Sequence, residues 1–202
     1  MEIPPKEKRH NPENPQYQIE KLEEIAVDEL PEHIKVAARG ILRNDKILNL
    51  YKIPHSSQED VSYAIRVERS YESQDGQETQ DIIFLYDSTG SIVTGVASAT
   101  LYRDLKGDQE GYAVLNERPY VSTTETLDPD LRQLGLGTRR IQLLNELCKR
   151  VFGLPLHSSG NRADEATMVW KKLHRLNLVE AYSLLGDDKR MLGVESRFKF
   201  PS

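Results

Sequence analysis

Residues 120–152 read YVSTTETLDPDLRQLGLGTRRIQLLNELCKRVF, and their pattern decides the fold. The first eight residues carry β-branched and polar side chains in strand fashion. A loop rich in Asp, Pro and Gly follows. From residue 138 the apolar positions Ile141, Leu144, Cys148 and Val151 recur at helical spacing, one stripe of an amphipathic helix over 138–152. Strand, glycine loop and helix in direct succession place Arg132-Gln133-Leu134-Gly135-Leu136-Gly137-Thr138 at a helix N-terminus. Such an end presents unpaired N–H groups and a partial positive charge. Glycines let a diphosphate approach the backbone. Arg139 and Arg140 oppose the helix dipole in the first turn, a local conflict that a bound phosphate would relieve.

Working outward, the preceding block is rich in strands. Residues 61–71 alternate apolar and polar, 81–86 form an apolar run, and 92–102 form another strand. The turn residues 87–91 (DSTGS) join the last two as a hairpin. Residues 103–118 form a long polar insertion. Earlier, 17–22 reads as a short strand and 29–42 as a helix with Pro31 in its first turn, while 45–52 is ambiguous, a second short helix being one reading. After the glycine-led helix, 153–160 gives a stop, a short strand and a turn. Residues 163–176 are helical with Ala166, Val169 or Trp170, Leu173 and Leu176 inward. Residues 178–185 and 191–200 form a second hairpin. This order indicates a mixed α/β, α+β-like sheet.

The 202-residue length suits one domain over 17–202, preceded by a flexible arm at 1–16 that holds four prolines. Apolar residues make up 38% and charged ones 29%, with a net charge of −5. An isoelectric point near 5.6 argues against a nucleic-acid partner. No apolar run is long enough for a membrane span, and 1–16 lacks the apolar segment of a secretory signal. One cysteine makes no internal disulfide, and no Cys/His cluster has metal spacing, so no metal is expected and a reducing cytoplasm fits.

Two phosphate motifs fail. The P-loop needs a Lys after its second glycine, which is absent. The dinucleotide fingerprint needs a third glycine where Arg140 stands. The segment instead resembles the acetyl-CoA loop of the GNAT N-acetyltransferase superfamily, Gln/Arg-x-x-Gly-x-Gly/Ala, filled by Arg132, Gly135 and Gly137. Leu127-Asp128-Pro129-Asp130 resembles the entry to that loop, Asn161 the asparagine near the pantetheine, and Trp170-Lys171-Lys172-Leu173 the aromatic-x-Lys segment. The resemblance spans roughly 17–200 and implies a GNAT-like central mixed sheet flanked by helices.

It also implies acetyl transfer from acetyl-CoA, a co-substrate, to a small-molecule amine or a protein amino group, with homodimers common in the family. The amine attacks the thioester directly, with no covalent enzyme intermediate. Backbone amides over Gln133, Leu134, Gly135, Leu136, Gly137 and Thr138 would hold the pyrophosphate. A backbone N–H near Thr126 or Leu127 would steady the oxyanion. Glu125 stands where members carry a carboxylate base; the alternative is a solvated strand carboxylate. Glu117 is a second choice. His157, with Ser158, lies where a short strand splays beside the thioester and could move a proton, or be a hydrogen-bonded structural histidine. Trp170 replaces the tyrosine acid of many members, and His174-Arg175 replace a Gly-Phe pair. Trp170 then packs the core, and either the thiolate leaves unprotonated or another group such as Tyr182 serves as its acid. Cys148 reads as core. Arg162, Lys171 and Lys172 could reach CoA phosphates or form a solvated face. A CoA-binding or protein-interaction module without turnover is the competing reading, and a nucleotide-dependent enzyme another.

Overall fold

A computed structural model describes residues 18–55, 59–73, 76–103, 118–127, 136–159, 164–182 and 197–202. In chain order these form β1 (Glu23–Glu24), a 3-10 turn (Val27–Glu29), α1 (Glu32–Ala37), α2 (Arg39–Asn44) and β2 (Lys46–Pro54). There follow β3 (Asp60–Ser73), β4 (Gly76–Thr89), β5 (Ile92–Arg103) and β6 (Tyr120–Thr126). The remainder comprises α3 (Leu136–Phe152), α4 (Asp164–Arg175), β7 (Glu180–Tyr182) and β8 (Arg197–Lys199). The chain is thus a mixed α and β fold. The expected arm at 1–16, the insertion over 104–117 and the tip of the last hairpin lie outside the described residues.

Strands β1 to β6 make one six-stranded sheet in sequence order, antiparallel at every pairing. The β4–β5 hairpin turns on Gly90-Ser91, narrower than the sequence pattern indicated, with Gly90 at φ 59°. A side chain there would be strained, which is why glycine leads the turn.

Apolar side chains alternate between two clusters on opposite faces. Leu50, Ile65, Val67 and Ile82 pack with Leu30, Ile34 and Ala38 beneath α1 and α2. Ile53, Ala64, Ile83, Leu85, Ala97 and Ala99 pack with Ile141, Leu144, Leu147, Trp170 and Leu173 beneath α3 and α4. This two-sided burial explains one misreading. Residues 46–54 are strand rather than helix. Leu50 serves one cluster while Tyr51 and Ile53 serve the other, so no period-two alternation survives in the sequence. The first strand also lies at 23–24, just past the expected 17–22, and the helix over 29–42 is broken at Ala38 into two.

Trp170 is fully buried, stacked on Phe198 at 6.2 Å and edge to face with Phe200 at 5.8 Å. Cys148 is equally buried, and burial pushes its thiol well above the usual range, so it is a core residue. Leu176, expected to point inward, is exposed: α4 ends at Arg175, and Asn177 turns the chain at φ 57°. Replacing Trp170 with Ala is expected to cost about 3–5 kcal/mol, the range for deleting a buried aromatic, read from urea unfolding. A loss under about 1 kcal/mol would mean that the tryptophan is not a core residue.

Candidate functional site

Three pieces of backbone set the site. β6 pairs with β5 along one edge, and on its other edge meets the segment after α3. There His157 N–H donates to the Pro119 carbonyl at 2.8 Å, and Val121 N–H donates to the His157 carbonyl at 2.9 Å. This Tyr120–His157 bridge is parallel, whereas the six-stranded sheet is antiparallel. A parallel neighbour needs a crossover, and α3 supplies it. His157 also bridges Lys199 of β8, and Ser158 N–H donates to Phe198. Asn145 on α3 accepts the Leu156 N–H at 3.0 Å and fixes the height of the segment. Beyond Val121, among the described residues, no backbone group bonds to the open edge of β6 over Ser122–Thr126. The register slips between Ser98 and Ala99, leaving Ser122 as a bulge where the two backbones part.

Beside this backbone lies a buried charge. Arg140, at the start of the second turn of α3, is 1% exposed. Its Nε donates to Asp87 at 2.7 Å and its Nη1 to the Glu125 carbonyl at 2.8 Å. Nη2 has no acceptor among the described residues. The conflict with the helix dipole is thus resolved by Asp87, not by a phosphate, and Arg140 is unavailable to a diphosphate. Gly95 makes this possible, since a Cβ there would lie 1.7 Å from Nη2. Asp87 also accepts from the Ser62 hydroxyl at 2.7 Å, and His55 Nε2 contacts that hydroxyl at 2.7 Å. Ser62 has one hydrogen and gives it to Asp87, so His55 Nε2 carries the proton donated to Ser62. Burial, followed by the charge of Arg139, lowers the His55 pKa to about 4. Sequence reasoning missed this line. Its signals were the cationic first turn and a glycine inside a strand.

The predicted residues fall as follows. Glu125 is exposed, on the face of its cross-strand partner Val96. Leu127 N–H donates to Thr94 at 3.1 Å and so is not an oxyanion donor. Thr126 N–H alternates to the open edge. Leu136, Gly137 and Thr138 open α3, with Gly137 against Val169 and Thr138 buried. Lys171 and Lys172 are exposed on α4. Arg132, Gln133, Leu134, Gly135, Asn161, Arg162 and Glu117 lie outside the described residues.

His157 is buried, its Nδ1 2.9 Å from the Tyr182 hydroxyl and the two rings edge to face. Burial, followed by the charges of Arg118, Lys199 and Arg197, lowers its pKa to about 4. At neutral pH its imidazole is therefore uncharged. Glu125 and His157 are not brought together. Five residues of strand separate Glu125 from the bridge at Tyr120, roughly 16 Å at about 3.3 Å per residue. No group of His, Cys, Asp and Glu among the described residues forms a metal site, and no described helix is long and apolar enough to cross a membrane. Compared with protein-family models, curated proteins and solved structures, the chain matches none of them.

Two predictions follow from this geometry. Gly95→Ala displaces the Arg140 guanidinium and is expected to cost about 3–5 kcal/mol, the range for breaking a buried ion pair. In an Arg140→Ala background the same change should cost under about 1 kcal/mol, because the guanidinium is gone. Equal costs in both backgrounds would mean that Arg140 does not set the requirement for glycine. Both histidines have folded pKa values below the unfolded value. The unfolded chain then binds more protons, and stability rises with pH. Their contribution is full above about pH 6.5 and is lost as pH falls toward about 4. Proton NMR of the imidazole C2–H signals should show midpoints below about 5 for both; values near 6.5 would remove the burial argument.

Proposed function

We propose that the chain is an acetyl-CoA-dependent N-acetyltransferase on a GNAT-like fold. The observation that carries this reading is the short parallel bridge of Tyr120 to His157, beyond which no backbone group among the described residues bonds to the outer edge of β6. Among the described residues this leaves the backbone of β6 open over Ser122–Thr126, where an extended thioester arm can bond to it. Arg132, Gly135 and Gly137 supply the sequence of the pyrophosphate loop that leads into α3.

The chemistry assigned to the site is direct attack. The amine nitrogen bonds to the thioester carbonyl carbon, the C–S bond breaks, and the thiolate leaves with its electron pair. Thr126 N–H steadies the oxyanion from the open edge. Glu125 takes the proton from the attacking amine, directly or through water. Its exposure suits that task, since the proton then passes to solvent. Trp170 is sealed in the core and donates nothing to the leaving thiolate. That same burial favours a second reading, a CoA-binding module without turnover.

Thermal unfolding with acetyl-CoA, CoA, ATP and NAD separates these possibilities. A ligand at about 100 times its dissociation constant adds about 2.7 kcal/mol, roughly 5–10 °C for a chain of this size. Shifts with acetyl-CoA and CoA but not with ATP or NAD are expected, together with thiol release when an amine is added. Gly135→Val should abolish the shift, and Glu125→Gln should slow thiol release while leaving the shift intact. Binding without thiol release for any amine would select the second reading. No shift with either CoA species would end both.

A further inference from the structure

Strand alternation sorts the residues around His157 onto two faces. Tyr120 and Lys199 are its bridge partners, and Arg197 lies two residues before Lys199 and opposite Tyr182. Paired residues, and residues two apart on a strand, share a face. Tyr120, His157, Lys199, Arg197 and Tyr182 therefore look one way. Leu156, Phe198 and Phe200 look the other, into the Trp170 cluster. Arg118, two residues before Tyr120, joins the first group, its guanidinium 6.0 Å from the centre of the Tyr182 ring.

This face has three features that belong together. It carries three half-buried cations from two separate stretches of chain, Arg118 before β6 and Arg197 and Lys199 on β8. Among the described residues it offers one carboxylate in return, Glu180, which is exposed and 3.4 Å from Lys199. Arg118 and Arg197 have no carboxylate partner among the described residues. Helices α1 and α2 cover this same side of the sheet further along, over Leu50, Ile65 and Val67. The apolar cluster beneath them does not include Tyr120, His157 or Tyr182. On a chain of net charge −5, such a local excess of positive charge is unusual. All three cations act on the buried imidazole of His157, which remains uncharged at neutral pH.

We propose that Arg118, Arg197 and Lys199 around the His157–Tyr182 pair form a binding site for an oxyanion, the carboxylate or phosphate of the acetyl acceptor. Guanidinium groups suit both, because their forked N–H groups match two oxygens at once. Tyr182 is then a recognition residue rather than the acid that replaces the family tyrosine. The site lies along the sheet from Glu125, so the acceptor carries its oxyanion several bonds from its amine. The assignment of the oxyanion to an acceptor rests on the transferase reading; the site itself does not.

The experiment has two arms on the full chain. In the first, calorimetry without acetyl-CoA measures the binding of glutarate and of inorganic phosphate to the wild type, to Arg118→Gln, to Arg197→Gln and to a remote control, Lys35→Gln. Each arginine change should weaken binding of one or both probes about 10-fold, the effect of losing one charge-assisted hydrogen bond, and Lys35→Gln should not. Thermal unfolding of each variant checks that the fold is kept, and Arg197→Lys should restore part of the affinity. In the second arm, thiol release is measured with ω-amino carboxylates of increasing length and with their carboxamides. The carboxylates should show the lower KM at similar kcat, and Arg197→Gln should raise KM for the carboxylate alone. An amino alkyl phosphate in the same series tells the two oxyanions apart. Unchanged affinity for both probes in both arginine variants would overturn the site. Equal KM for carboxylate, phosphate and carboxamide would overturn its assignment to the acceptor. Oxyanion binding with no thiol release would instead overturn the transferase reading and leave the site standing.

Discussion

One buried guanidinium organises the end of the sheet. An arginine sealed from water is costly unless its charge is matched and its hydrogens are placed. Arg140 meets that demand with Asp87 and the Glu125 carbonyl, and the surrounding residues follow from it. Gly95 is glycine because a side chain would occupy the guanidinium's space. Ser62 gives its hydrogen to the same carboxylate, and His55 is held as a neutral donor behind it. The consequence for architecture is direct. Arg140 belongs to α3 and Glu125 to β6, so the two ends of the glycine loop are tied to each other and to β4 by a single side chain. The start of α3 is therefore placed by electrostatics as well as by its apolar stripe.

His157 is the second fixed point, and its backbone matters before its side chain. It stands where an antiparallel sheet gains a parallel neighbour, joining β6 to β8. The junction is short: two backbone hydrogen bonds join β6 to His157, and no further one between them is made among the described residues. The side chain settles the character of the face. Its imidazole is buried against Tyr182 amid three cations, while the opposite face takes Trp170, Phe198 and Phe200. An apolar face under a helix and a charged face without one is the expected outcome when only one side of a sheet is covered.

The sequence was legible where one physical rule acted alone. The β4–β5 hairpin, the strand before the glycine loop, and the helices over 138–152 and 163–176 were all visible in periodicity and turn chemistry. Trp170 and Cys148 were readable as core for the same reason. The reading failed where two rules competed. Residues 46–54 are apolar on both faces, so periodicity could not tell strand from helix. Leu176 continues the helical spacing past the point where the helix stops. Arg140 was misread because a cation at a helix start has two remedies, an external anion or an internal carboxylate. The internal one comes from Asp87, more than 50 positions earlier, and nothing local announces it. Likewise Leu127 N–H is spent on Thr94, a pairing that only the register reveals.

The candidate site also constrains how its parts divide the work. Glu125 and His157 sit at opposite ends of β6, roughly 16 Å apart along the strand, so they do not act as an acid–base pair on one reacting atom. The exposed carboxylate lies at the end tied down by Arg140, beside the open backbone edge. The uncharged imidazole lies at the seam, hydrogen-bonded to Tyr182 and ringed by cations. Proton removal needs a group that ionises near neutral pH or exchanges with water. An imidazole whose pKa is lowered to about 4 is a weak base there. An imidazole that stays neutral, however, can serve as a fixed dipole beside arginines without adding repulsion. In the proposed transferase, proton removal is therefore assigned to Glu125 and recognition of charge to the His157 end.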